Sequence, residues 1–409
     1  MTSNLIRASK FSFWLIIVLV VLLLVVLPLL TAWLVKAGRM PLEWQQYLLH
    51  VETVQVYLMR GLGAAWLFFL GSCFASFLNV VAWRVPRGRG INGSSMCPFC
   101  ESKLKFSDNL PIFGWIRNGG QCRTCRLPIS PRYLIVEIIL GCVFLMISGA
   151  EILAGGANLP IREIERLQGF EHLVFAPKWE LIQSTIYHLI LICLLFTFAL
   201  IRSERLRIPL SIFLTGLVMG ICLPLIWPSM NIVSWQIDIE QLIELDRFSF
   251  DQVLTISFGL VGGLACGVLV SWSTSNTVLL DRDRAKQSTI EQFNCIDDAV
   301  ASMVMIGLFL GWQSALSVTL LLFVINLLVA TVLPRPPSSN VNLCSQLCLA
   351  TLIHLLAWRM LTWIEYWPGP TASNLVMIAS IGILVVIAIL MRMAFRHSTI
   401  AIEDRPGFD

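Results

Sequence analysis

Four cysteines in two close pairs are the residues of this chain best suited to chemistry. Cys97-Pro-Phe-Cys100 and Cys122-Arg-Thr-Cys125 stand 21 residues apart in one polar stretch. A C-x-x-C pair presents two thiolates to one ion from a tight turn, and two such pairs complete a tetrahedral shell. A reducing cytoplasm disfavours a disulfide. A redox dithiol would use one pair beside a βαβ pattern, which is absent. The spacing therefore predicts one structural zinc held by Cys97, Cys100, Cys122 and Cys125, with a closed shell that organises the loop and does not catalyse. The other eight of the twelve cysteines sit singly, most of them in apolar runs, and are read as small buried hydrophobes.

The elements that must position this loop are membrane spans. Hydrophobic residues are 57% of the 409 and charged residues 13%, against roughly a quarter charged in soluble domains. One soluble core cannot hide so much apolar surface. The net charge of +4, without basic residues interleaved with stacking aromatics, excludes a nucleic-acid binder. Runs of about 20 apolar residues, the length a bilayer core requires, lie near 11–35, 62–84, 133–154, 181–201, 208–227, 253–280, 299–312 with 313–333, 344–363 and 374–393. The fold class is an all-α polytopic membrane bundle of nine to ten spans, with Gly311 marking a break between two short helices. The first run is too long for a signal-peptide core and has no Ala-x-Ala site, so it reads as an uncleaved anchor.

Charge sets the orientation. Arg84, Arg87, Arg89, Lys103, Lys105, Arg117, Arg123, Arg126 and Arg132 crowd the stretch that carries the cysteines. The positive-inside rule makes that stretch cytoplasmic. Both termini are then cytoplasmic, and the acidic loop 228–252 (Asp238, Glu240, Glu244, Asp246, Asp251) faces the other side. The expected organisation is an anchor and connector at 1–60, an amino-terminal region at 61–142 holding the loop 85–132, and a helical core at 143–333. A linker with two further spans occupies 334–409, beginning with the Pro-rich stretch Pro334 to Asn340.

Residues Gly71 to Gly141 resemble the amino-terminal region of the bacterial type IV prepilin leader peptidases and N-methyltransferases. The matching pieces run in order: Gly71-Ser72, Ser76-Phe77-Leu78-Asn79-Val80-Val81, Arg84-Val85-Pro86, and the cysteine pairs flanking Asp108-Asn109-Leu110-Pro111-Ile112-Phe113-Gly114-Trp115. Ile129-Ser130-Pro131-Arg132-Tyr133 and Val136-Glu137 close the segment. The resemblance implies a multi-helix aspartic peptidase of a bacterial inner membrane. It would act on prepilins or type II secretion pseudopilins at the cytoplasmic face, with S-adenosylmethionine as the methyl donor where methylation occurs. Membrane lipid is the other implied partner.

The family cuts with two aspartates, and both positions are altered here. Anchoring on Pro209 puts the first at Arg202, with Glu204 where many members carry a non-catalytic acid. Anchoring on Gly307 and Gly311-Trp312 puts the second at Ala299, beside Asp297 and Asp298. A paired-carboxylate site needs two groups that share a proton, and a permanently charged Arg serves as neither. The candidate catalytic set is therefore Asp298, Asp297 and Glu204, the enzyme reading requiring an aspartate against Glu204. The competing readings are an inactive binding or assembly protein, with Asp298 ion-paired to Arg202, and a methyltransferase-only relic. His188 and His354 are expected to be hydrogen-bonded structural histidines, Arg359 to snorkel, and Asn79 and Glu137 to pack or position.

Overall fold

The computed structural model describes residues 42–403, apart from positions 94 and 98 and segments 165–168, 171–172, 174–175, 234–246, 283–294 and 333–341. The anchor expected at 11–35, most of the acidic loop and the Pro-rich linker lie outside the described residues. Ten α-helices are described, labelled in chain order: α1 (Leu42–Arg84), α2 (Phe113–Arg117), α3 (Arg132–Ser148), α4 (Trp179–Ser203) and α5 (Leu210–Ile226). They continue as α6 (Arg247–Arg282), α7 (Asp298–Leu310), α8 (Trp312–Val332), α9 (Leu343–Thr362) and α10 (Asn374–Glu403). Six helical stretches are long and apolar enough to cross a membrane, within α1, α3, α4, α6, α9 and α10, and α5, α7 and α8 are shorter apolar helices. Among the described residues the expected spans thus appear as six full-length helices and three short ones. The boundaries placed at 60 and 142 fall inside α1 and α3.

Helix ends follow local chemistry. Asp297 caps α7 by accepting from Ala299 N at 3.0 Å and Val300 N at 3.1 Å, and Asn342 caps α9 by accepting from Cys344 N at 3.1 Å. Such caps satisfy backbone donors that the first turn leaves unpaired. Gly311, at φ 87°, ends α7 and α8 starts at the next residue. At 1.5 Å per residue, α7 is only about 20 Å long. It can still lie at the centre of the bundle, because nearly every residue from Ala299 to Leu310 is buried.

Close backbone contact fixes α7 against α6. Gly259, Gly263 and Gly267 recur every four residues and so share one helix face. A Cβ on Gly263 would lie 2.4 Å from Met303 O, and one on Gly307 would lie 2.2 Å from Gly259 O. Lipid tails are as apolar as leucine, so membrane helices associate through packing of this kind. The α1–α3 pair uses the same device, since a Cβ on Gly71 would meet Leu140 O at 2.7 Å. Ser72 Oγ donates from α1 across that seam to Glu137 O at 3.0 Å.

Two short strands complete the frame. Ile208–Pro209 (β1) pairs antiparallel with Cys295–Ile296 (β2), with Ile208 opposite Ile296 and Pro209 opposite Cys295. This ladder ties the chain leaving α4 to the chain entering α7, bringing Arg202 and Asp298 to the same end of the bundle.

The later helices belong to the core. Asn342 Nδ2 donates to Ala199 O of α4 at 2.7 Å, and Ala350, Leu355 and Trp358 of α9 are buried with α4 and α7. Arg359, expected to reach for the lipid interface, instead donates to Gly156 O and Arg162 O. The carbonyls of a loop folded against α9 replace the headgroup level as its partner.

Candidate functional site

The four cysteines converge on one point. Cys97 Sγ lies 3.8 Å from Cys125 Sγ, and Cys100 Sγ lies 3.9 Å from Cys122 Sγ. All four sulfurs are within 4.8 Å of one another. Each pair sits in the same turn, repeated 25 residues on. Cys97 N bonds Ser102 O and Glu101 N bonds Cys97 O; likewise Cys122 N bonds Leu127 O and Arg126 N bonds Cys122 O. Isolated bridges flank each turn, Met96 with Lys103 and Gln121 with Pro128. The equivalent residues Glu101 and Arg126 both hold positive φ, at 53° and 62°. A side chain in that region costs roughly 1–2 kcal/mol, so each turn is bent beyond what its own residues favour.

Two of the four thiols are tuned toward the thiolate, while Cys125, though a hydrogen bond with the Leu127 backbone lowers it, is pushed up to about 11 by desolvation and the sulfurs beside it. Backbone N–H groups of Cys125 and Thr124 lower the Cys122 thiol to about 6, and the hydroxyl and backbone N–H of Ser102 lower that of Cys100. Four sulfur donors at these separations fit a single metal ion of tetrahedral habit.

The loop is braced within itself at several points and fastened to α3 at Glu137. Trp115 Nε1 donates to Ile129 O at 3.2 Å. Asp108 accepts from Asn118 and Arg123, and a Cβ on Gly114 would collide with Asp108 O at 2.2 Å. Ile112 N donates to Glu137 Oε2 at 2.7 Å. Glu137, on α3, thus accepts from the backbone of the loop where that backbone turns through φ 64° at Ile112, which is a positioning contact.

At the aspartate positions, every carboxylate has a partner. Asp298 Oδ2 lies 2.6 Å from Arg202 Nε. Asp297 caps α7 through its side chain. Glu204 is gripped from two sides: Arg132 donates to its Oε1, and Arg87 Nη2 lies 3.6 Å from its Oε2. Arg132 also reaches Ser203 Oγ at 2.7 Å and Leu200 O at 3.4 Å, so it caps the end of α4. Among the described residues no hydrogen bond or ion pair joins Glu204 to Asp297 or Asp298. The carboxylates sequence reasoning singled out are each held by a cation or by backbone N–H groups.

One polar cluster escaped the sequence reading. His188 Nδ1 meets Glu151 Oε1 at 2.7 Å, with side-chain exposures of 1% and 0%. Asn158 Nδ2 bridges Glu151 Oε1 at 3.3 Å and Leu355 O at 2.9 Å. His354 lies near, joined through Ser317 to Trp367. Glu151 was the available signal, because a carboxylate closing an apolar run is expected to have a specific partner. Replacing Glu151 with Ala should lower stability by about 3 kcal/mol, because it strips buried His188 and Asn158 of their shared acceptor. The measurement is the thermal unfolding midpoint in detergent, and an unchanged midpoint would rule the cluster out as a structural tie.

Comparison with known proteins finds the same region of the chain. Residues 69–150 match the family described as the bacterial peptidase A24 N-terminal domain. A prepilin leader peptidase/N-methyltransferase of Myxococcus xanthus (strain DK1622) is 33% identical over 161 residues, covering 39% of this chain and 40% of that protein. The protein of the same name from Klebsiella pneumoniae is 38% identical over 106 residues, 23% of this chain and 46% of the relative. That from Bacillus subtilis (strain 168) is 28% identical over 156 residues, 37% and 58%. The chain thus matches less than half the length of the first two relatives. No solved structure matches it.

Proposed function

We infer the role of this chain from one premise: through residues 69–150 it belongs to the bacterial prepilin leader peptidase/N-methyltransferase family. It is a multi-pass membrane protein that holds the leader region of prepilins or pseudopilins at the cytoplasmic face of a bacterial inner membrane, and it does not cut them with paired aspartates. The observation that carries this reading is the pairing of Asp298 with Arg202. Paired-carboxylate hydrolysis needs one protonated and one ionised group in reach of the same water. A guanidinium stays charged at any accessible pH, so it can neither give nor take the shared proton, and its pairing with Asp298 occupies the carboxylate that a second acid would have to face. Glu204, the other available acid, faces Arg132 and Arg87, so the same argument applies to it.

In this account the four cysteines hold zinc. A Zn–S bond of about 2.3 Å in a tetrahedron separates sulfurs by about 3.8 Å, which agrees with the 3.8 and 3.9 Å separations. The zinc keeps the basic loop folded as the surface that faces substrate. S-adenosylmethionine rests on the family resemblance alone, the relatives' names giving N-methyltransferase.

The test is photo-crosslinking of a leader-bearing prepilin peptide to the full chain in inverted inner-membrane vesicles. The proposal expects adducts in the cysteine loop that excess unlabelled leader removes. Adducts confined to right-side-out vesicles would overturn the orientation, and none in either preparation would overturn the leader-binding role.

A further inference from the structure

A cavity of about 210 Å³ opens where α1, α3 and α4 meet, at the end of the bundle that carries the cysteine loop. Its lining includes Asn79, Trp83, Ser130, Arg132, Tyr133 and Glu204. The charge around it is unequal. Arg87 and Arg89 stack on Trp83, each 5.0 Å from the ring centroid, and Arg132 lies in the wall. Against these three guanidinium groups stands one carboxylate, Glu204, which Arg132 and Arg87 already engage. The surplus is positive, so the cavity favours an anion.

The donors inside point the same way. Asn79 Nδ2 is buried and has no hydrogen-bond partner, although buried donors almost always find one. Ser130 and Tyr133 add hydroxyls. Arg132 has five N–H groups and contacts Glu204, Ser203 and Leu200 with its two terminal nitrogens. Several convergent donors with excess positive charge match the oxygens of a phosphate ester.

Location indicates where such a group comes from. The cavity lies beside Arg84, the last residue of α1, and Arg132, the first of α3, the level at which spans meet headgroups. Trp83 and Tyr133 are 39% and 43% exposed, as interfacial aromatics are. Just inside, Phe77 and Ile135 are more than half exposed and offer an apolar track for an acyl chain. Basic pockets between spans at this level suit anionic headgroups.

We propose that the cavity bounded by Asn79, Trp83, Arg132 and Tyr133 is a binding site for an anionic phosphate ester, supplied by a phospholipid headgroup. The site lies where the basic loop meets the bundle, and lipid binding reads it without prepilin present. In function it would fasten the amino-terminal region to its membrane and keep Arg132 and Arg87 in place against Glu204.

The experiment is native mass spectrometry of the purified full chain, titrated with phosphatidylglycerol, phosphatidylcholine or inorganic phosphate. One phosphatidylglycerol per chain is expected to bind, and more tightly than phosphatidylcholine. Asn79→Leu and Arg89→Gln should each weaken it about tenfold, the loss of one charge-assisted contact. Asn79→Leu removes an unpaired amide and leaves the guanidinium groups in place, so an unchanged unfolding midpoint without lipid confirms that the variant is folded. Competition by inorganic phosphate would support the phosphate chemistry and reassign its source to a soluble anion. Equal binding of the two lipids, or undiminished phosphatidylglycerol binding in both variants, would overturn the site.

Discussion

Chelating a metal bound by the four cysteines, or replacing Cys97 and Cys122 together by serine, should make their loop the fastest-cut segment of the chain while the spans stay assembled. Trp115, Asp108 and Glu137 brace the middle of the loop, but the two cysteine turns have little besides their sulfurs to hold them to each other. The loop's β pairing amounts to two isolated bridges, and Phe99, Phe106 and Phe113 are all more than half exposed. Structural zinc contributes about 10–16 kcal/mol of apparent binding energy to folding in small domains, far more than two isolated bridges can supply. Glu101 and Arg126, each directly after the second cysteine of its pair, should leave their left-handed turns once the thiolates are released. The α1–α3 seam does not use the metal, since Gly71, Ser72 and Gly141 bring those helices together directly. Limited proteolysis with peptide mapping, alongside metal analysis, reads both parts. Unchanged loop cleavage after complete loss of metal would contradict the structural role.

Gly307→Leu should be more damaging than any surface change, costing at least about 3 kcal/mol, the upper end for overpacking. Its side chain would begin 2.2 Å from Gly259 O and 2.7 Å from Gly263 Cα. These neighbours are backbone, so no rotamer change can make room and α6 must move away from α7. Since α7 carries Asp298 and is entered from β2, the ion pair with Arg202 and the two-residue ladder would go with it. Gly263→Leu should behave alike, against Met303 O at 2.4 Å. Gly61 and Gly382 are the controls, because a Cβ at either meets nothing within 4 Å. Alanine there should change stability by no more than about 0.5 kcal/mol. Unfolding midpoints of the four variants give the comparison, and a Gly307→Leu chain as stable as Gly61→Ala would refute the close-packed seam.

Much of this was legible in sequence because it depends on local spacing. Two C-x-x-C pairs fix a four-sulfur site whatever the remainder of the fold, and apolar runs locate spans because hydrocarbon demands about 20 residues. The break at Gly311 was readable from one glycine in a long apolar run. The approach of Arg202 to Asp298 was readable by placing the end of α4 and the start of α7 at the same end of the bundle. The grip on Glu204 was not, because Arg132 and Arg87 reach it from other helix ends and no periodicity records that meeting. His188 was correctly expected to be hydrogen-bonded, but its partner Glu151 lies on a different helix. The role of Arg359 depended on a loop folding back against α9, whereas a hydropathy reading sees only a cation near the end of a span. The glycine stripe of α6 was visible as spacing, and only the facing backbone of α7 explains it.

The most direct test of the central claim is the intact mass of candidate prepilins after incubation with the purified, reconstituted chain. The account predicts that the leader stays attached, because Asp298 is ion-paired with Arg202 and Glu204 with Arg132 and Arg87. Leader removal that disappears in both Asp298→Asn and Glu204→Gln variants would contradict it, and would show that these carboxylates form a working pair despite the arginines beside them.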